Sequence, residues 1–280
     1  MLLWCDNPKL LVLPFFYHYC ISFTIFNELL MKQTLQHKLK FNDGLAVYIG
    51  NGIKTNLHRH YALEIVLSFD KSFQIITNEK SYTDCKFAII PKNIEHQFFS
   101  NPDDFQVFIY IDPFHHLANF LENEFELSSL IITDLATIDK ISFPSLQQWI
   151  DVDNNNLFET ISSLVKQLTD KRHTDNKTDY RITKSFQFIS DNLNEDISIK
   201  KIASSIFLSE SRYAHLFKLQ VGIPFRRYVL WLRMQKTIQS IIEGNSLTSA
   251  CYDGGFSDLP HFNKVFQEMF GITPSAVLKG

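Results

Sequence analysis

The chain has 280 residues, of which 45% are hydrophobic and 14% aromatic, and a formal net charge of −3. Length and apolar content together allow two domains with proper cores and exclude a chain too poor in apolar side chains to fold. The small net charge hides an asymmetry: from Arg181 onward there are twelve Lys and Arg against eight Asp and Glu, which leaves fifteen against twenty-two before it. A basic C-terminal part on an acidic N-terminal part fits nucleic-acid contact confined to the former. Cys5, Cys20, Cys85 and Cys251 form no close pair and no metal-ligand spacing, the pattern of reduced thiols in a cytoplasmic protein.

In chain order, Leu10 to Phe26 is mostly apolar, but Pro14 and His18 interrupt it and it falls short of the roughly 18 to 20 residues that span a bilayer. Asp6 beside Lys9, and no small-residue cleavage site, argue against a signal peptide. Met31 is followed at once by Lys32-Gln33-Thr34, so residues 1–30 are read as an upstream extension that the fold does not need.

From Leu45 to Asp112 the pattern changes to short β-like runs at 45–49, 62–69, 73–77, 87–90, 96–100 and 105–111, separated by polar turns. An antiparallel barrel or sandwich is expected. His58-Arg59-His60 with Glu64, followed later by Pro91 to His96, resembles the two motifs of the cupin barrels. That resemblance implies that His58, His60, Glu64 and His96 point into one barrel mouth. Three imidazoles and a carboxylate suit Fe, Mn, Ni or Zn, yet Asp70 and Asn93 stand where glycines are expected. The expected occupant is therefore a small-molecule effector, with no metal and no other cofactor.

Phe114 to Phe125 and Leu157 to Leu168 both look helical. Leu157, Ile161, Leu164 and Leu168 make a narrow apolar seam, suited either to helix pairing between two copies or to packing on the chain's own barrel. Thr169 to Asp179 has no large apolar residue and reads as a linker. The expected domains are 31–168 for effector binding and dimerisation, 169–180 as linker, and 181–280.

Helices are expected at about 181–193, 198–206, 209–220, 224–243, 246–253, 258–270 and 274–279. Ser209 is a good N-cap for the third, whose Tyr213, Leu216 and Phe217 share one side. Two short helices and a tight turn suggest a helix-turn-helix, and the pattern repeats after roughly 50 residues. Tyr228, Leu232 and Ile242 are the inward candidates of the long helix between the two units.

Here the sequence resembles the AraC/XylS family of transcription regulators. The likeness rests on Phe217-Lys218 with Gly222, on Pro224, Tyr228 and Arg233, on Gly255-Phe256-Ser257-Asp258, on Phe262 and Phe266, and on Gly271-Ile272-Thr273-Pro274. It implies an α+β two-domain protein: a cupin-like antiparallel β-barrel with helices, then an all-α double helix-turn-helix. The family's base-contacting positions fall on Ser211, Ala214 and His215, and on Leu259, Pro260, Asn263 and Lys264. Arg212 and Lys218 are better placed for phosphates. His215 stands where the family often has Arg, and Gln267-Glu268 where a basic pair is frequent, so phosphate binding should be weaker. The resemblance implies promoter DNA, a small-molecule effector, a second copy of the chain and, for an activator, RNA polymerase as partners. No catalytic residue is assigned; the rival reading is a metal-dependent cupin enzyme fused to a DNA-binding domain.

Overall fold

Nine β-strands followed mainly by helices make up the described residues of this computed structural model: 37–42, 44–125, 129–133, 142–169, 179–193, 195 and 197–278. The expected N-terminal extension, most of the expected linker and the last two residues lie outside them. One sheet has the order β1-β2-β8-β3-β6-β9, formed by β1 (Lys38–Asn42), β2 (Leu45–Asn51), β3 (Leu63–Ser68), β6 (Phe87–Ile90), β8 (Phe105–Ile111) and β9 (Ile131–Thr133). The other has the order β5-β4-β7, from β4 (Phe73–Thr77), β5 (Ser81–Cys85) and β7 (His96–Phe99). All pairings are antiparallel.

Strand alternation explains the packing. In β3 and β8, Glu64 is opposite Tyr110 and Val66 opposite Phe108, so these four side chains share the face turned to the smaller sheet. Phe98 of β7 lies 4.9 Å from Phe73 and 4.9 Å from Phe108, which joins the two sheets through one aromatic cluster. Leu63, Ile65, Ile109 and Ile111 point the other way and are fully buried, so the larger sheet is covered on both faces at its centre.

Among the described helices are α1 (His116–Phe125), α2 (Leu146–Asp151) and α3 (Asn154–Leu168) beside the sheets. The C-terminal set is α4 (Tyr180–Asp191), α5 (Ile199–Ser205), α6 (Glu210–Val221), α7 (Phe225–Ile242), α8 (Leu247–Asp253), α9 (Leu259–Phe270) and α10 (Pro274–Val277). Every helix expected from 181 onward is present, within two residues at each end. Residues 37–280 form one unit, in which Tyr61 and Ala62 of the sheet region share a core with Tyr213, Phe217, Trp231 and Phe262.

The structure corrects several expectations. The α3 seam is covered by this chain itself: Leu157, Ile161 and Leu164 are fully buried, with β1 and α1 packed against the helix. It offers no free apolar stripe to a second copy. In α7, Ile242 faces outward, and Trp231 and Met234 take the inward positions along with Tyr228. Strands β1, β5 and β9 went unforeseen. Asn93 adopts φ +66° and so fills the glycine-like turn itself, as Asn tolerates better than most residues.

Candidate nucleic-acid interface and effector cavity

The two helix-turn-helix units are built by the same local rules. Ser198 caps α5 and Ser209 caps α6, each side chain accepting from the N–H three residues on; Ser246 and Asp258 do the same for α8 and α9. In the first turn Leu208 N donates to Ala203 O at 2.8 Å; in the second, Phe256 N donates to Cys251 O at 2.9 Å, the same bond 48 residues later. Both reading helices end on a glycine in the left-handed region, Gly222 and Gly271. A sequence repeat has become a structural one.

The faces sort as the reading function requires. Tyr213, Phe217 and Val221 of α6 and Phe262, Val265, Phe266 and Met269 of α9 are buried. Ser211, Arg212, His215, Lys218, Pro260, Asn263 and Lys264 are exposed, and Ala214 and Leu259 are half-buried. Between the units α7 runs for 18 residues, about 27 Å at 1.5 Å per residue. Its N-cap is Pro224, whose missing N–H does no harm there.

The second feature lies where sheet and helices meet. His58 and His96 exchange backbone hydrogen bonds of 3.0 and 2.9 Å, which brings the loop before β3 onto the start of β7. Asn93 N donates to His60 O at 2.8 Å and ties the second half of the motif to the first. His58, His60, Glu64 and His96 are thereby gathered and buried, with His58 and His96 rings 4.2 Å apart. His60 Nε2 stands 2.8 Å from Glu64 Oε2. Burial raises the Glu64 carboxyl, but His60 and His96 beside it, by charge and hydrogen bond, hold it below the usual carboxylate range. Burial, with His96 and His60 nearby, pushes the His58 imidazole down to about 3, so at neutral pH it carries no proton charge.

Three of these four residues, His58, Glu64 and His96, reach a cavity of about 70 Å³, measured to the centres of water-sized molecules, between the smaller sheet and helices α7, α9 and α10. Its walls are mainly apolar, among them Tyr48, Phe108, Met234 and Phe270, with Thr55 and Gln235 as further polar groups. His60 does not line it.

Sequence reasoning missed the residues that join the sheet to the helices. Asp112, at the end of β8, is buried and accepts from Trp231 Nε1 at 2.8 Å, Gln235 Nε2 at 3.2 Å and Phe114 N at 2.8 Å. The Tyr228 hydroxyl donates to it at 3.5 Å. Burial raises the Asp112 carboxyl, and these donors offset part of that rise. The Tyr110 hydroxyl, bonded to Glu64, was also unforeseen, and burial pushes it well above the usual phenol value. The one available signal was the i, i+4 spacing of Trp231 and Gln235 on a single helix face.

Residues 202–280 match a family model described as a helix-turn-helix domain. The probable transcriptional regulator LumQ of Photobacterium leiognathi is 26% identical over 234 residues, covering 79% of this chain and 91% of that protein. The arabinose operon regulatory protein of Escherichia coli is 30% identical over 107 residues, 36% of each chain. Through this C-terminal part the chain belongs to the AraC/XylS family. The regulatory protein PocR of Salmonella typhimurium, 30% identical, is matched over 33% of its length, so this likeness is confined to about a third of that family member. Among solved structures, unsaturated fatty acid-bound ToxT from Vibrio cholerae superposes with a TM-score of 0.53 at 15% identity, covering 85% of this chain and 95% of that one. An apo form of ToxT from the same strain gives 0.53 at 14%, covering 85% and 98%. The two-domain fold is thus shared with ToxT over most of both chains. Among the described residues no helix is long and apolar enough to cross a membrane.

Proposed function

We propose that this AraC/XylS-family chain is a sequence-specific DNA-binding transcription regulator whose two reading helices enter successive major grooves of a promoter. The observation that carries this is the paired outward set: Ser211, His215 and Lys218 on α6, and Asn263 and Lys264 on α9, each on a helix whose opposite side is buried. Major-groove faces recur about every 34 Å along B-DNA, a spacing the intervening α7 can bridge together with the flanking helices. Ser211, Ala214, His215, Leu259, Pro260, Asn263 and Lys264 are the proposed base-edge readers, Asn263 for adenine and Lys264 for guanine. Arg212 and Lys218 fix register on phosphates.

The cavity between sheet and helices is the proposed effector site, with His58, His60, Glu64 and His96 as its polar cluster. Its apolar walls favour a molecule with a hydrocarbon or aromatic body and a polar group directed to that cluster. Because α7 and α9 line the same cavity, an effector that binds one arrangement of helices better than another shifts promoter affinity. The reading assigns no catalytic residue. It places the protein in the cytoplasm with promoter DNA as partner, RNA polymerase where it activates, and a second copy of the chain meeting on a surface other than the α3 seam.

The test is a mobility-shift assay of the full chain against promoter fragments and a scrambled control at low salt. Preferential retention of promoter sequence supports the reading; equal retention of both rejects it.

A further inference from the structure

We propose that His58, His60, His96 and Glu64 form a site for one divalent transition-metal ion, and that filling it acts on the second reading helix. The three imidazoles share one arrangement. His58 Nδ1 faces Asn56 O at 2.9 Å, His60 Nδ1 faces Ala62 O at 2.9 Å, and His96 Nδ1 faces Ile94 O at 3.0 Å. A carbonyl oxygen can only accept, so each neutral ring carries its proton on Nδ1 and leaves the Nε2 lone pair free. Anchoring of this kind orients imidazoles for metal binding. The three residues offer one nitrogen each within 4.8 Å of one another.

Hydrogen-bond accounting at the centre then calls for a cation. Glu64 Oε2 stands 2.8 Å from His60 Nε2 and 3.5 Å from His96 Nε2. A carboxylate facing rings whose protons sit on Nδ1 is acceptor against acceptor, and a positive charge between them resolves it. Ligand atoms about 2.1 Å from a metal and at right angles are about 3.0 Å apart, close to the His60–Glu64 separation. Three imidazoles and one carboxylate suit Zn, Ni, Fe or Mn better than Ca or Mg. His58 also borders a second cleft with Arg59, Glu95 and Glu268, which gives the cluster a route to the outside.

The link to DNA reading is a pair of backbone bonds. Asn56 N donates to Gly271 O at 2.8 Å and Arg59 N donates to Glu268 O at 3.3 Å, so the loop carrying His58 is fastened to the last turn of α9. A Cβ on Gly271 would lie 2.7 Å from His58 Nδ1, so the helix end rests against the ring itself. An ion that draws His58 Nε2 inward pulls on the loop that holds α9. This second half rests on the proposed DNA-binding reading; the metal site does not.

The test uses the full chain, freed of metal by chelation and titrated with Co²⁺. One ion per chain with visible ligand-field absorption is expected, at least tenfold weaker in His60→Ala and in the shape-conserving Glu64→Gln, with circular dichroism melts showing both variants folded. Sequence-selected DNA, read by fluorescence anisotropy, should then bind with at least threefold altered affinity when Co²⁺ is present, and Glu64→Gln should abolish that difference. Failure to bind Co²⁺, or equal binding by folded variants, overturns the site. Stoichiometric Co²⁺ with unchanged DNA affinity overturns the link to α9. Failure to bind DNA with or without the ion overturns the regulator reading and the link, while the titration still decides the site.

Discussion

Trp231 Nε1 donates a 2.8 Å hydrogen bond to Asp112 Oδ2 across 119 residues of chain, and it does so in a buried setting. With Gln235 on the same oxygen and Tyr228 on the other, the last residue before the helical region accepts from three positions of the long helix that separates the reading units. A buried donor that loses its acceptor forfeits about 1 to 3 kcal/mol. Asp112→Ala is therefore expected to lower unfolding free energy by about 2 to 4 kcal/mol, as measured by urea denaturation.

The same carboxyl sets a pH dependence. Its folded-state value is raised by burial, net of its donors, so the folded state holds the proton more tightly than the unfolded chain. Its contribution is complete below the ordinary aspartate value and is lost as pH rises through the raised one. Relative to Asp112→Asn, the wild-type protein should gain stability as pH is lowered through that window; thermal melts of both proteins at stepped pH are the check.

Phe207 sits in the first helix-turn-helix turn with φ +59° and is 95% exposed. The corresponding place in the second unit, 48 residues on, is Gly255 at φ +83°. An aromatic residue in the left-handed region bears strain without packing to offset it. Phe207→Gly should raise stability by roughly 0.5 to 1 kcal/mol, read as a higher urea midpoint with unchanged slope.

Gly271 makes the opposite case. It has φ +69°, and a Cβ there would meet Asn56 O at 2.6 Å and Thr55 Cβ at 2.7 Å. Gly271→Ala should cost more than about 1 kcal/mol and part the 55–59 loop from α9, seen as faster amide exchange at Asn56.

The two lysines separate positioning from reading. Lys218→Ala should weaken binding to all sequences alike and reduce the salt slope by about 1. Lys264→Ala should instead relax preference at one base pair by about 1 to 3 kcal/mol. Binding isotherms on matched and mismatched duplexes at several salt concentrations distinguish them.

How much was legible follows from the range of the interactions. The helices from 181 onward are written in local periodicity and in caps such as Ser209 and Ser246, and β4, β6 and β8 in short apolar runs with definite ends. Strands β1 and β5 went unseen because Lys38-Leu39-Lys40-Phe41-Asn42 and Ser81-Tyr82-Thr83-Asp84-Cys85 lie at or near sheet edges and leave most residues at least partly exposed, so the buried-face alternation is weak. The histidine cluster was visible because its spacing is short. Asp112 with Trp231 and Gln235 was not, since a contact between positions more than a hundred residues apart leaves no local period. The α3 seam shows a further limit: Leu157, Ile161 and Leu164 announce a buried stripe, but periodicity does not name what covers it.

The most direct measurement is selection of bound DNA from a random duplex library by the full chain, followed by sequencing. The account predicts enriched sequences with two preferred blocks about one helical turn, roughly 10 base pairs, apart, with one block losing definition in Lys264→Ala. Absence of enrichment, or one block unaffected by changes in α9, would contradict it.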